Sequence, residues 1–250
     1  MQIIDLYSGI GGFSLAGSWL NWRTIIFCEL DKFCQKVLIK NFPGIPIHDD
    51  INTLTVEQIK NSNLYDKEEP TIITGGVPCQ PASTAGKRLG AEDDRWLWPQ
   101  TIKFIGKFKP DFALLENVAG LLSMENGRTL ERILLDLENE GYQVEVFVIP
   151  AFGVESVHRR DRVWIIGFTA NPGSMGCSWL RNNEKKFCTG REAFNVSYSC
   201  IKAIWDNKVS EFNREHDGIP SGLDKDRIRA LGNAIVPQVV YEIFKAIDLK

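Results

Sequence analysis

Short apolar runs alternate with helix-forming stretches from Gln2 to about residue 168, and this alternation restricts the fold more than any other feature of the chain. Gln2–Tyr7, Thr24–Glu29, Thr71–Thr74, Phe112–Leu115, Tyr142–Ile149 and Val163–Phe168 read as short strands. After the second, Asp31 is placed to cap a helix with Phe33, Cys34, Val37 and Leu38 on its apolar face, and Asn41-Phe42-Pro43-Gly44 stops it. Leu130, Ile133, Leu134 and Leu137 fall at i, i+3, i+4 and i+7 of another helix, which Gly141 ends. Strands separated by helices need crossover connections, so the expected fold is α/β, a mostly parallel sheet with helices on both faces. A chain of 250 residues with 44% hydrophobic content is long and apolar enough to build one such domain.

The pattern breaks over 169–226, a stretch rich in Asn, Ser, Gly and charges with no clean period. Regularity returns where Val236, Val239, Val240, Ile243, Phe244 and Ile247 form one helical stripe, with Pro237 near its first turn. The expected organisation is a main domain over 1–168, a small polar insert over 169–226, and a return to the main domain over 227–250. Net charge is −3, which by itself argues against a polyanionic partner. The charge is uneven, however. Between Arg159 and Arg191 there are 7 basic residues against Asp161 and Glu184. Such a local excess attracts a polyanion, although a merely solvated surface would look the same.

Five motifs fall at the edges of these elements. Tyr7-Ser8-Gly9-Ile10-Gly11-Gly12-Phe13 follows the first strand, where glycines let a ligand approach backbone N–H groups. Glu29 ends the second strand and is suited to ribose hydroxyls. This pairing fits an adenosine-containing cofactor. S-adenosylmethionine, NAD and a purely structural turn all remain open, though Ser14 departs from the G-x-G-x-x-G of a dinucleotide site. Gly75-Gly76-Val77-Pro78-Cys79-Gln80-Pro81 places a thiol where parallel sheets bind ligands, and its glycines and prolines argue against an inert core cysteine. Glu116-Asn117-Val118 puts a carboxyl group at a strand mouth among apolar residues, a setting that raises a pKa. His158-Arg159-Arg160-Asp161-Arg162 opens a strand with Arg160 and Arg162 on one side, and Gly232-Asn233 precedes the last helix.

In this order the motifs resemble those of the DNA cytosine-C5 methyltransferase family, with the short chain and small insert similar to its phage or prophage members. The resemblance covers about 1–168 and 227–250. Tyr7 stands where Phe is usual, Val77 replaces the first Pro of the Pro-Cys motif, Ala82-Ser83 replaces Phe-Ser, and His158 replaces Gln. The resemblance implies a Rossmann-like S-adenosylmethionine-dependent methyltransferase fold with 169–226 as a target-recognition region. It also implies that Cys79 is the nucleophile adding to C6 of a flipped cytosine, Glu116 the group at N3, Arg162 the contact to the base carbonyl, and Arg160 an ordering residue. The cofactor would meet Tyr7, Ser8, Gly9, Gly11, Gly12, Phe13, Glu29, Asp50, Ile51, Pro78 and Asn233. Lys87 and Arg88 lie in a stretch expected to close over the base. Arg181, Lys185, Lys186 and Arg191 are the expected contacts to double-stranded DNA. A tRNA methyltransferase, an NAD-dependent oxidoreductase and a catalytically dead DNA-binding relative are the competing readings.

No apolar run reaches a membrane-spanning length of ~18 residues, and the opening MQIIDLYSG lacks a basic signal region. Reduced thiols and a cytoplasmic location are therefore expected for the 6 cysteines. Cys177, Cys188, Cys200 and His216 are too widely spaced for a zinc knuckle, so no metal is expected. A monomer is expected, with a cognate restriction endonuclease as a candidate partner.

Overall fold

The computed structural model describes residues 1–78, 96–154, 160–169 and 225–247. Seven strands form one sheet: β1 (Gln2–Leu6), β2 (Arg23–Cys28), β3 (Ile47–His48), β4 (Thr71–Gly76), β5 (Phe112–Val118), β6 (Tyr142–Pro150) and β7 (Asp161–Thr169). Their order is β3-β2-β1-β4-β5-β7-β6. The pairs from β3 to β5 are parallel, whereas β7 runs antiparallel to both β5 and β6. The expected parallel α/β sheet is therefore present, closed on one side by an antiparallel pair.

Successive strand residues point to opposite faces, and both faces are apolar because helices cover both. Ile4, Ile73, Leu115 and Ile165 pack on one side with α3 (Val56–Lys60), α4 (Trp98–Phe108) and α5 (Arg128–Asn139). Ile3, Ile72, Leu114 and Trp164 pack on the other with α1 (Gly12–Ser18) and α7 (Pro237–Ile247). Leu130, Ile133 and Leu137 are the buried line of α5, as their spacing predicts, and Val239, Val240, Ile243 and Phe244 are that of α7. Asp31 caps α2 (Lys32–Asn41) by accepting from the N–H groups of Phe33 and Cys34. Among the described residues no helix is long and apolar enough to cross a membrane.

Between β4 and β5 stands a helix that the sequence reading does not place: α4 begins at Trp98 with Pro99 in its first turn and buries Ile102, Ile105 and Phe108. Two expectations about elements need correction. Strand β5 does not stop at Leu115 but continues through Glu116, Asn117 and Val118, which pair with β7. Helix α6 (Lys225–Asn233) begins inside the boundary assigned to the polar insert.

Candidate active site

The carboxyl ends of β1, β2, β4 and β5 open into one cleft of about 650 Å3. Tyr7, Ser8, Gly9, Gly12, Phe13, Glu29, Asp50, Ile51, Pro78, Glu116, Arg160, Arg162 and Asn233 all line it. Every expected site residue among the described ones thus converges here, with one exception. Gly11 stands behind the wall. It caps α1 at φ +86°, and a Cβ there would meet the Phe42 ring at 2.5 Å, so packing and turn geometry require this glycine. Cys79, Lys87, Arg88, Arg181, Lys185, Lys186 and Arg191 lie outside the described residues, as do Cys177, Cys188, Cys200 and His216.

The glycine turn is held from several sides. Glu29 accepts from the Gly9 N–H at 2.7 Å through one oxygen and from the Asp31 N–H at 2.7 Å through the other. Ser8 donates its hydroxyl hydrogen to the Asp5 carbonyl at 2.5 Å. Gly12 lies against α7's entry, and a Cβ there would meet Ile235 at 2.5 Å. Tyr7 adopts φ +52°, and its hydroxyl reaches the Thr101 hydroxyl at 2.8 Å, tying the turn to α4. Phe13 is buried edge-on against Trp164, 6.2 Å between centroids. Asp50 accepts from the backbone N–H and side-chain amide of Asn52, both at 2.9 Å, through a single oxygen.

On the opposite wall, the parallel register sets Glu116 beside Gly76. Glu116 pairs across the ladder with Trp164, so Arg162, two residues along β7, lies diagonally on the same face. Arg162 Nε approaches Glu116 Oε1 at 2.7 Å. Burial drives the Glu116 carboxyl up from its ordinary value, opposed by the positive charges of Arg162 and Arg160. The other oxygen, Oε2, looks toward Gly76, where even a Cβ would leave 3.5 Å. Asn117 donates to the Val77 carbonyl at 3.0 Å, which fixes the strand end leading into Pro78. Arg160 donates to the Gly232 and Ala234 carbonyls at 2.9 and 2.6 Å, binding the Gly-Asn motif to the start of β7.

Sequence reasoning misses three residues here. Arg229 of α6 pairs with Asp31 across the cleft mouth, and nothing local in the sequence links positions 198 apart. Asn117 stands out only as a member of its motif. Asp5 is fully buried beneath the glycine turn, accepting from Ser14 Oγ at 2.8 Å and Thr74 Oγ1 at 3.2 Å. Burial pushes its carboxyl up to about 7 from 3.8, against those hydrogen bonds. Between these values the folded chain holds a proton that the unfolded chain has released. Stability should therefore fall as pH rises from about 4 to about 7, and Asp5→Asn should remove that slope. Urea unfolding at pH 5 and pH 8 should show the difference between wild type and variant changing on the order of 1–3 kcal/mol.

The strand order, with the cleft at the carboxyl ends of its parallel strands, defines a Rossmann-like α/β fold. Among solved structures, a triple mutant of DNMT2 from Spodoptera frugiperda shares the fold, with a TM-score of 0.63 at 20% identity, over 98% of this chain and 99% of that one. The sequence narrows the class. Residues 1–216 match the C-5 cytosine-specific DNA methylase family, and the chain belongs to it. It is 38% identical over 185 residues to the type II methyltransferase M.HpaII of Haemophilus parainfluenzae, covering 73% of this chain and 50% of that protein. It is 33% identical over 245 residues to M.HgiBI of Herpetosiphon aurantiacus, covering 97% of this chain and 52% of that protein. The chain thus spans about half the length of the curated relatives it matches.

Proposed function

We propose that the protein transfers a methyl group from S-adenosylmethionine to C5 of cytosine within a short duplex DNA sequence. The observation that carries this reading is the buried Glu116–Arg162 pair sharing one cleft with Pro78, which immediately precedes Cys79, and with the glycine turn. The cleft fits the cofactor. Gly9 meets it with no side chain, and Phe13, Glu29 and Asp50 supply an aromatic edge and two acids, while Asn233 stands at its far wall. When bound, S-adenosylmethionine supplies an electrophilic methyl group on sulfur.

The protein's residues do the rest. C5 of cytosine is a weak nucleophile inside the duplex stack, so the base is flipped out. The Cys79 thiolate adds to C6 as N3 takes up a proton, which gives C5 enamine character. C5 then takes the methyl group while the sulfonium sulfur keeps the bonding pair. Loss of the C5 proton to a base, with expulsion of the Cys79 thiolate from C6, restores the ring. Arg160 and Arg162 bring the positive charge that favours a thiolate in the cleft. Glu116 holds a proton toward N3 on Oε2 while Arg162 fixes Oε1. Lys87 and Arg88 touch phosphate as the stretch after Cys79 closes over the base. In 169–226, Lys185 and Lys186 contact phosphate, and at least one of Arg181 and Arg191 reads a guanine.

Labelled cofactor incubated separately with duplex DNA and with tRNA tests the substrate class. Transfer to DNA is expected, and transfer to tRNA alone would overturn the reading. Duplex DNA carrying 5-fluorocytosine should remain covalently bound at Cys79, since fluorine cannot leave C5 as a cation.

Glu29→Ala should weaken cofactor binding by about one to two decades, or ~1.5–3 kcal/mol, while sparing DNA binding. The same change frees the Gly9 N–H, so part of the loss is turn geometry. Calorimetry with the cofactor reads it directly. Lys185→Ala with Lys186→Ala should weaken all DNA sequences alike and reduce the salt slope by about one unit for each phosphate no longer neutralised. Binding titrations at several salt concentrations check this.

A further inference from the structure

Helix α6 brings Asn233 to the cleft, yet little apolar surface anchors it. Among its described side chains only Ala230 is buried, and Leu231 is 53% exposed. A helix that buries so little apolar surface opens easily, so its polar ties decide how firmly it is held. Two arginines supply such ties. Arg160 donates to the carbonyl groups of Gly232 and Ala234, at the carboxyl end of the helix. Arg229, one turn before Asn233, reaches across the mouth to Asp31 at 2.5 Å.

The acid at the other end of that pair is already committed to the cleft. Asp31 caps α2 through Oδ1, accepting from the Phe33 and Cys34 N–H groups at 2.8 and 3.1 Å, and gives Oδ2 to Arg229. Its own N–H donates to Glu29 Oε1 at 2.7 Å, and Glu29 Oε2 accepts from the Gly9 N–H at 2.7 Å. An unbroken run of contacts therefore leads from Arg229 through Asp31 and Glu29 to Gly9. It joins the helix that bears Asn233 to the glycine turn. Asp226, 3.4 Å from Arg229, belongs to α6 itself and cannot brace the helix against anything else.

We propose that Arg229 is a positioning residue for the cofactor: by holding Asp31 it seats α6 at the cleft mouth, steadies Glu29, and so sets how long S-adenosylmethionine stays bound. It acts through Asp31 and not on the reacting atoms, so it governs cofactor affinity and release and leaves the methyl-transfer step alone. The identity of the cofactor rests on the proposed function; the bracing of α6 does not. Arg229 is 57% exposed and Asp31 29%, so salt screens the pair and its effect is modest.

Release of labelled S-adenosylmethionine into an excess of unlabelled cofactor tests this. Arg229→Gln should speed release about three- to fivefold and leave single-turnover transfer at saturating cofactor unchanged, and Arg229→Lys should recover most of the loss. Asp31→Asn removes the charge but keeps an oxygen that can cap α2. It should speed release as much, and the double variant no more than either single one. Release unchanged in Arg229→Gln, or effects that add in the double variant, would overturn the proposal. Hydrogen exchange of the cofactor-free protein supplies an independent arm: the α6 amides should exchange about three- to fivefold faster in both single variants. If the parent bound no S-adenosylmethionine, the proposed function would fail and the exchange data would decide the brace. Unchanged exchange in both variants would overturn it.

Discussion

Cys79→Ser is expected to bind S-adenosylmethionine as the parent does and to lose methyl transfer by at least about 10³-fold. A free thiol ionises near ~8.5, within reach of an environment that can lower it; a serine hydroxyl does not ionise near neutral pH. The cleft has such an environment in Arg160 and Arg162, both on the wall that Pro78 shares. Cofactor binding should persist because the turn, Glu29 and Asp50 are set by β1, β2 and the residues after β3. Single-turnover transfer to duplex DNA, with calorimetric cofactor binding on the same preparation, separates the two effects. Turnover within tenfold of the parent would exclude covalent addition through Cys79.

The sequence makes the sheet and the cleft legible for a physical reason. Both depend on local signals: apolar runs of strand length, a capping Asp31, and glycine or acid at strand ends. What it hides depends on partners distant in the chain. Glu116 and Asn117 look like a loop beyond a strand because charge ends most apolar runs, yet pairing with β7 carries β5 through them. Helix α4 is concealed by Pro99 and the surrounding glycines, although Trp98, Ile102 and Ile105 fall at i, i+4 and i+7. Gly11 falls among the cofactor-facing glycines because spacing cannot tell a glycine that faces a ligand from one that faces Phe42. Arg160 is legible as an ordering residue only through the motif; its two carbonyl acceptors lie more than 70 residues away.

Glu116→Gln should leave cofactor affinity unchanged and slow the chemical step by about 10²–10⁴. The amide preserves the shape of the side chain and its oxygen can still accept from Arg162 Nε, so the wall should keep its form. What it removes is the acidic proton. Burial raises the carboxyl pKa while Arg162 and Arg160 resist, so the net upward shift keeps a fraction of Glu116 protonated further toward neutral pH than an exposed acid. The protonated form is the competent one, so the parent's rate should decline as pH rises through the raised value. The Gln variant has no such ionisation and should lack that limb. Measuring kcat across pH for both proteins distinguishes a proton donor from a group that only holds the base in place. A variant that is slow but keeps the parent's alkaline limb would assign that limb to another residue and reduce Glu116 to a positioning role.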